Sequence, residues 1–174
     1  MKISRFRYLL LVVVLFAGCI KSDDGPVEEY VGVGDMLPVF TVGDPPGEYR
    51  SFDAMGKVTL ITFFDPYCSD CKRELPVLQG VWENLGGEDV FEMVNIVRGM
   101  TLEGLSVAEN SEAWLSMPCY PDPERRIYNL FATVTVPRIY LVDRTGVVRE
   151  MWVEKIDLSP TDFLARIRSY VEMP

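Results

Sequence analysis

The 174-residue sequence has no histidine, only four cysteines and fewer basic than acidic side chains, 17 against 26. Without histidine, a zinc site would have to be built mainly from cysteines, and only Cys68 and Cys71 are close together in the sequence. The sequence therefore predicts neither a metal nor another cofactor. The formal net charge of −9 argues against nucleic acid as a partner.

Long hydrophobic runs are also scarce. The apolar segment at residues 8–20 is shorter than the roughly twenty residues that a transmembrane helix needs. It follows a basic start and ends in small residues before Cys19, which is typical of a secretory signal of the lipoprotein kind. We therefore expect residues 1–18 to be a cleaved signal peptide. An uncleaved membrane anchor is the alternative.

The segment Phe16-Ala17-Gly18-Cys19 resembles the bacterial lipobox, in which Leu is more frequent than Phe at the first position. The resemblance implies that Cys19 is lipidated, which would hold the protein at a membrane without a transmembrane span. Residues 19–31 are polar and acidic, so they are predicted to be a flexible tether. We expect a lipid-anchored, extracytoplasmic protein of the bacterial cell envelope, facing the periplasm or the cell surface.

The two neighbouring cysteines lie where an apolar run ends and a helical pattern begins. A cysteine at a helix N-terminus meets unpaired backbone N–H groups and the positive end of the helix dipole, which favour the thiolate. Cys68 is therefore the predicted nucleophile, and Cys71, one turn later on the same face, its resolving partner. The alternatives are a structural disulfide, half of a zinc site, or two unrelated buried cysteines. Redox chemistry is favoured because so short a loop stabilises little.

Residues 32–174 are enough for one domain with a single core. Periodicity predicts strands at 58–64, 90–97, 139–142 and 147–153 and helices at 70–85, 102–115, 124–131 and 160–171. Pro76 should kink the first helix, and Ser159 should cap the last. The order of elements predicts an α/β fold with a central mixed sheet flanked by helices. Cys119 is expected to be buried and inert, with a third redox thiol or a mixed-disulfide site as alternatives.

This order, with CxxC after a strand, is that of a thioredoxin-like fold. The chain resembles the extracytoplasmic TlpA/ResA group of the AhpC/TSA-thioredoxin superfamily over residues 32–172, through the segments 33–40 and 56–64, Pro76 and Val136-Pro137. The resemblance implies a cis Val136–Pro137 bond beside the cysteines, with the Val136 backbone open to a substrate chain. A trans proline at a strand start is the alternative.

The chain departs from this group at two positions near the cysteines. Tyr67 stands where Trp is usual, which keeps an aromatic platform beside the nucleophile, and Thr62 occupies the position of thioredoxin's buried acid. Asp70 and Glu74 are therefore the candidates for proton transfer. The negative charge of Asp70 also opposes thiolate formation nearby.

The sequence thus predicts a monomeric envelope thiol–disulfide oxidoreductase that exchanges with protein disulfides. The resemblance suggests a reductant recharged by a membrane thiol-reducing partner. A thiol peroxidase of the AhpC/TSA type is one alternative, although such enzymes carry Thr or Ser and Pro where this chain has Asp65 and Ile61. A non-catalytic thioredoxin-fold binding lipoprotein is the other alternative.

Overall fold

The computed structural model describes residues 28–44, 47–111 and 116–173. The predicted signal peptide, Cys19 and most of the predicted tether lie outside the described residues. Within the described ranges, every helix is too short or too polar to cross a membrane.

Among the described residues, five strands form one mixed sheet: β3 (Val58–Phe64), β4 (Phe91–Arg98), β5 (Cys119–Asp122), β6 (Arg138–Val142) and β7 (Val148–Val153). Their order across the sheet is β5-β4-β3-β6-β7. β4 runs parallel to β3 and β5, whereas β6 runs antiparallel to β3 and β7. Two short strands, β1 (Thr41–Val42) and β2 (Tyr49–Arg50), form a separate antiparallel pair. The predicted mixed sheet is confirmed.

The central strand is β3, in which all seven residues are buried. Its β-branched and aromatic side chains suit a strand that is covered on both faces. Across the parts of the chain that the structure describes, three α-helices accompany the sheet: α1 (Ser69–Leu85), α2 (Leu102–Ser111) and α3 (Pro160–Val171). Pro76 lies inside α1, and the Ser159 side chain accepts a hydrogen bond from the Asp162 N–H at 3.2 Å, which caps α3 as predicted.

One strand of the mixed sheet, β5, is absent from the sequence prediction, as are the two-residue strands β1 and β2. Residues 116–133 were expected to hold a loop and a helix at 124–131, but the structure has β5 followed by a single 3-10 turn at Tyr128–Leu130. Pro121 lies within β5, and the strand tolerates it because β5 is at the edge of the sheet. The prolines that indicated a loop are therefore compatible with an edge strand.

The end of the predicted tether contacts the domain. Val31 is buried, and the N–H groups of Tyr30 and Val31 both donate to the Phe131 carbonyl. Glu29 pairs with Ala132 in an isolated antiparallel bridge. Residues 28–31 therefore pack on the domain, contrary to a tether that continues to residue 31, because Val31 buries its side chain in the core.

Candidate active site

Cys68 lies at the junction between β3 and α1. The Cys68 N–H donates to the Asp65 carbonyl at 3.0 Å, which closes a tight turn after the strand. Cys68 then serves as the N-cap residue of α1, and its carbonyl accepts a hydrogen bond from the Lys72 N–H at 3.0 Å. Its side chain is half-buried. The thiol therefore stands at the positive end of a 17-residue helix and remains accessible from outside.

Cys71 occupies the opposite environment, with its side chain fully buried. The Asp65 N–H donates to its Sγ at 3.4 Å. Burial raises the pKa of the Cys71 thiol, and interaction with Cys68 raises it further, although the Asp65 N–H acts in the other direction. Cys71 therefore keeps its proton more firmly than an ordinary cysteine.

The Val136–Pro137 peptide bond is cis, as predicted. The Cys68 thiol contacts the Val136 carbonyl oxygen at a distance of 3.8 Å. Val136 itself is almost buried, with 7% of its surface exposed. The loop before β6 and the N-terminus of α1 thus bring together a thiol and a backbone segment that are 68 positions apart in the sequence.

The aromatic side chain before Cys68 is exposed. Tyr67 has 72% of its surface open to solvent, and its N–H donates to Asp65 Oδ1 at 2.8 Å. Asp65 therefore orders the turn from both sides, through its carbonyl to Cys68 and its carboxylate to Tyr67. Such an exposed ring is free to contact an incoming chain.

Both candidates for proton transfer are bound to Arg73. Its Nη1 lies 2.9 Å from Asp70 Oδ1, and its Nε lies 2.8 Å from Glu74 Oε1. The Glu74 carboxylate is buried and also accepts a hydrogen bond from the Ile156 N–H at 3.3 Å, whereas the Asp70 side chain is half exposed. Glu74 is thus the carboxylate that is enclosed with Cys71 on the buried face of α1.

Thr62 does not replace the missing acid. Its Oγ1 is buried and finds no hydrogen-bond partner among the described residues. Cys119 is half-buried, so the expected full burial is wrong. It lies on β5, which β4 separates from the strand leading to Cys68, so it is apart from the CxxC pair. In the part of the chain that the structure describes, no cluster of three or more His, Cys, Asp or Glu could hold a metal ion.

One buried charge near the site was missed by the sequence analysis. Arg138 directly follows the cis proline, yet only 1% of its surface is exposed. Its Nη1 lies 2.8 Å from Glu29 Oε1. Burial is the largest influence and lowers the pKa of Arg138, but the hydrogen bond to Glu29 and the interactions with Tyr140 and Tyr128 together outweigh it, so the pKa is raised. An arginine at the start of an otherwise apolar strand was the available signal.

A thiol at a strand-to-helix junction, a buried partner thiol and a facing cis proline on a mixed sheet define a thioredoxin-fold thiol–disulfide oxidoreductase. The AhpC/TSA family matches residues 33–151, and the chain belongs to that family. The thiol-disulfide oxidoreductase ResA of Geobacillus thermodenitrificans is 25% identical over 151 residues, covering 86% of this chain and 85% of that protein. The sporulation thiol-disulfide oxidoreductase A of Bacillus subtilis is 21% identical, covering 83% and 88%.

Solved structures agree on the fold. The thioredoxin domain of a thiol-disulfide oxidoreductase from Bacteroides vulgatus superposes with a TM-score of 0.64 at 19% identity, covering 82% of this chain and 99% of that one. The exposed lipoprotein thioredoxin of Streptococcus pneumoniae gives a TM-score of 0.61 at 17% identity, covering 76% and 99%. The TlpA/ResA-like thioredoxin fold expected from the sequence is therefore confirmed.

Proposed function

We propose that this protein is a lipid-anchored reductant of protein disulfides in the bacterial cell envelope. The observation that carries the proposal is the asymmetry of the cysteine pair: the Cys68 thiol is accessible and contacts the Val136 carbonyl, while the Cys71 thiol is enclosed behind it. Such a pair can meet a substrate with one sulfur and protect the other until it is needed.

The exchange proceeds in two displacements. The Cys68 thiolate attacks one sulfur of a substrate disulfide, the S–S bond breaks, and the other substrate sulfur leaves as a thiolate that takes up a proton. Cys71 then loses its proton and attacks the Cys68 sulfur of the mixed disulfide, which expels the second substrate thiol. The substrate is reduced by two electrons, and Cys68 and Cys71 end as a disulfide.

Cys71 needs a proton acceptor in the second step because burial disfavours its thiolate. We assign this role to Glu74, which lies three positions later and on the same buried face of α1. Arg73 and the Ile156 N–H hold the Glu74 carboxylate in place. Asp70 shares Arg73 but is open to solvent, so we assign it a secondary part.

The substrate chain is positioned by backbone contacts. The Val136 carbonyl lies beside the Cys68 thiol, where an extended substrate segment can pair with it as an added strand. Pro137 fixes the direction of this segment through its cis bond. The exposed ring of Tyr67 offers an apolar surface on the other side of the turn.

The proposed direction of electron flow rests on the resemblance to the TlpA/ResA group, which suggests a reductant. The reduction potential depends on the stability of the dithiol form relative to the disulfide. We expect the couple to give electrons to protein disulfides, and a thiol-reducing membrane partner to restore them.

The membrane location rests on Cys19, which follows Ala17 and Gly18 at the end of the apolar segment. Cys19 precedes Glu28 by nine positions, which span at most about 30 Å. Glu28 and Thr133 exchange hydrogen bonds just before the cis-proline loop, so a short tether would keep the cysteine pair near the membrane. The wild-type protein should incorporate a labelled fatty acid in cells and a Cys19→Ala variant should not; equal labelling of the two proteins, or no labelling of the wild type, would contradict lipidation of Cys19.

The deciding measurement is the reduction potential of the Cys68–Cys71 couple in the full-length protein, obtained by thiol trapping in graded redox buffers. A potential near −270 mV, roughly that of thioredoxin, is expected for a reductant. A potential near about −120 mV would instead identify an oxidant that donates disulfides. A Cys119→Ala variant should give the same potential and serves as the control for the third thiol.

Membership of the AhpC/TSA family makes a thiol peroxidase the second candidate. The position three before the nucleophile holds Asp65, whose carboxylate accepts a hydrogen bond from the Tyr67 N–H and thus orders the turn. Consumption of hydrogen peroxide by the purified protein should be slow compared with its reduction of a protein disulfide. Rapid peroxide consumption that is lost in Cys68→Ser would reverse this order.

A further inference from the structure

We infer that Arg138 is a positioning residue that holds the Val136 backbone in place for an incoming substrate chain, and that Glu29 keeps Arg138 in position. The inference rests on the proposed function, since it concerns the use of that site by protein substrates. Arg138 reaches the site only through the loop that precedes it, and it does not contact the reacting sulfurs.

The guanidinium group of Arg138 donates hydrogen bonds on two sides. Its Nε donates to the carbonyl oxygens of Val134 and Thr135, at 3.2 and 3.1 Å. Its Nη1 donates to Glu29 Oε1 at 2.8 Å. A charge with 1% exposure is tolerated only when it is paired and hydrogen-bonded, and these three acceptors supply that pairing.

The loop that Arg138 holds has an unusual backbone. Thr135 adopts a φ of +77°, which β-branched residues rarely do. Its carbonyl accepts a second hydrogen bond, from the Tyr128 hydroxyl at 2.8 Å. Conformations of this kind persist when the surroundings determine them, and they concentrate at functional sites.

The Tyr128 hydroxyl, which is the second donor to the Thr135 carbonyl, belongs to a side chain that the protein holds in place. Tyr128 is fully buried, and its N–H donates to Asp122 Oδ2 at 2.9 Å. The Arg98 guanidinium lies over its ring, 4.9 Å from the ring centre. The Thr135 carbonyl is therefore held between a donor anchored at the end of β5 and a donor at the start of β6.

These contacts set the geometry of the residue that faces the nucleophile. Val136 lies between Thr135 and the cis proline, so the direction of its carbonyl follows from the conformation of both neighbours. That carbonyl is 3.8 Å from Cys68 Sγ. A substrate backbone can pair with Val136 only if the N–H and carbonyl groups of Val136 are already directed outward along the strand.

Glu29 completes the arrangement from a distant part of the chain. It lies 109 positions before Arg138, and 44% of its side chain is exposed. The isolated bridge between Glu29 and Ala132 keeps its backbone against the domain. A neutral side chain at this position should leave the fold intact and loosen only the Arg138 guanidinium.

The test compares two substrates of the full-length protein. Insulin presents a disulfide within a backbone that can pair with Val136, whereas 5,5′-dithiobis(2-nitrobenzoic acid) is a small disulfide with no backbone. Arg138→Met should slow insulin reduction by about tenfold and change the reaction with the small disulfide by less than about twofold. Arg138→Lys should recover part of the insulin rate, because it keeps the charge opposite Glu29 but has fewer directed donors.

The control is Arg126→Met, which makes the same change at an exposed arginine that pairs with Glu124. It should leave both rates unchanged.

Equal losses on both substrates in folded Arg138→Met, or no loss on either, would overturn the inference. If Arg138→Met does not fold, Glu29→Gln provides the test through the same ratio of the insulin rate to the small-disulfide rate. We expect this variant to lose about two- to threefold in the insulin rate and to keep the small-disulfide rate. A wild-type protein that fails to reduce insulin would overturn the proposed function, and this inference with it.

Discussion

Cys68 and Cys71 are one helical turn apart, yet the structure gives them opposite surroundings. Cys68 is half-buried and contacts the backbone of the cis-proline loop, while Cys71 is fully enclosed and accepts a hydrogen bond from the Asp65 N–H. In the proposed mechanism the first thiol meets other molecules, and the second acts only on the first. Division of the two roles therefore follows from burial and from position along one helix, since the residue type is the same.

The largest expected effect comes from replacing each of the two cysteines in turn by serine. Cys68→Ser should abolish reduction of insulin, because the enclosed Cys71 cannot reach a protein disulfide. Cys71→Ser should instead accumulate mixed disulfides at Cys68, since the first displacement still occurs and the second cannot. Non-reducing electrophoresis followed by mass spectrometry measures both outcomes.

The matched control for these variants is Cys119→Ser, which changes the thiol on β5 and should retain full activity. Trapped species that form through Cys71 in the Cys68→Ser variant would contradict the assigned roles. A double variant without Cys68 and Cys71 that still supports the protein's role in cells would favour a binding protein without redox chemistry.

The second expectation concerns stability against pH in the reduced protein. An unfolded cysteine loses its proton near pH 8.5, roughly, whereas folded Cys71 has a raised pKa and keeps it. Above that pH the unfolded state therefore binds fewer protons, and the free energy of unfolding falls by about 1.4 kcal/mol per pH unit for this group. Urea unfolding between pH 7.5 and 9.5, below the ordinary range of tyrosine, measures the slope.

Cys71→Ala should remove this pH dependence, whereas Cys119→Ala should retain it. Parallel curves for the wild type and Cys71→Ala would show that the enclosed thiol titrates like an exposed one. The comparison between the two thiols of the site would then lose its electrostatic basis, although the difference in access would remain.

A third and smaller effect is expected at Glu74. Glu74→Gln keeps an oxygen for the Ile156 N–H but removes the carboxylate that we propose as proton acceptor for Cys71. Decay of a preformed mixed disulfide should slow by about tenfold, while the first attack by Cys68 stays unchanged. Glu83→Gln makes the same change on an exposed part of α1 and should have no effect. Equal slowing of both steps would argue for a structural role of Glu74.

The elements that position the cysteines could be predicted because their signals are local. β3 is a continuous run of buried residues, and α3 begins at a capping serine followed by proline. β5 could not be predicted, because its four residues include Pro121 and pair with β4 only through the tertiary fold. Strand length and composition alone carry little information in such a case.

The residues of the site also fall into those that the sequence predicts and those that it does not. Cys68, Cys71 and the cis Val136–Pro137 bond follow from a short motif and a family resemblance, and the structure brings them together. The role of Arg138 depends on Glu29, which lies 109 positions earlier in a segment that was predicted to be tether. Burial of a charged side chain is a property of the folded state, so sequence pattern gives no direct measure of it.

The smallest expected effect tests whether Thr62 takes any part beneath the cysteines. Its buried hydroxyl has no hydrogen-bond partner in the described ranges, so Thr62→Val should raise the free energy of unfolding by about 1 kcal/mol. The matched control is Thr145→Val, which removes a hydroxyl that donates to Asp143 Oδ1 at 2.6 Å and should lower stability. If Glu74 takes the Cys71 proton, Thr62→Val leaves mixed-disulfide decay unchanged. Slower decay would instead place a proton path through the Thr62 hydroxyl, at the position of thioredoxin's acid, and would remove Glu74 from that role.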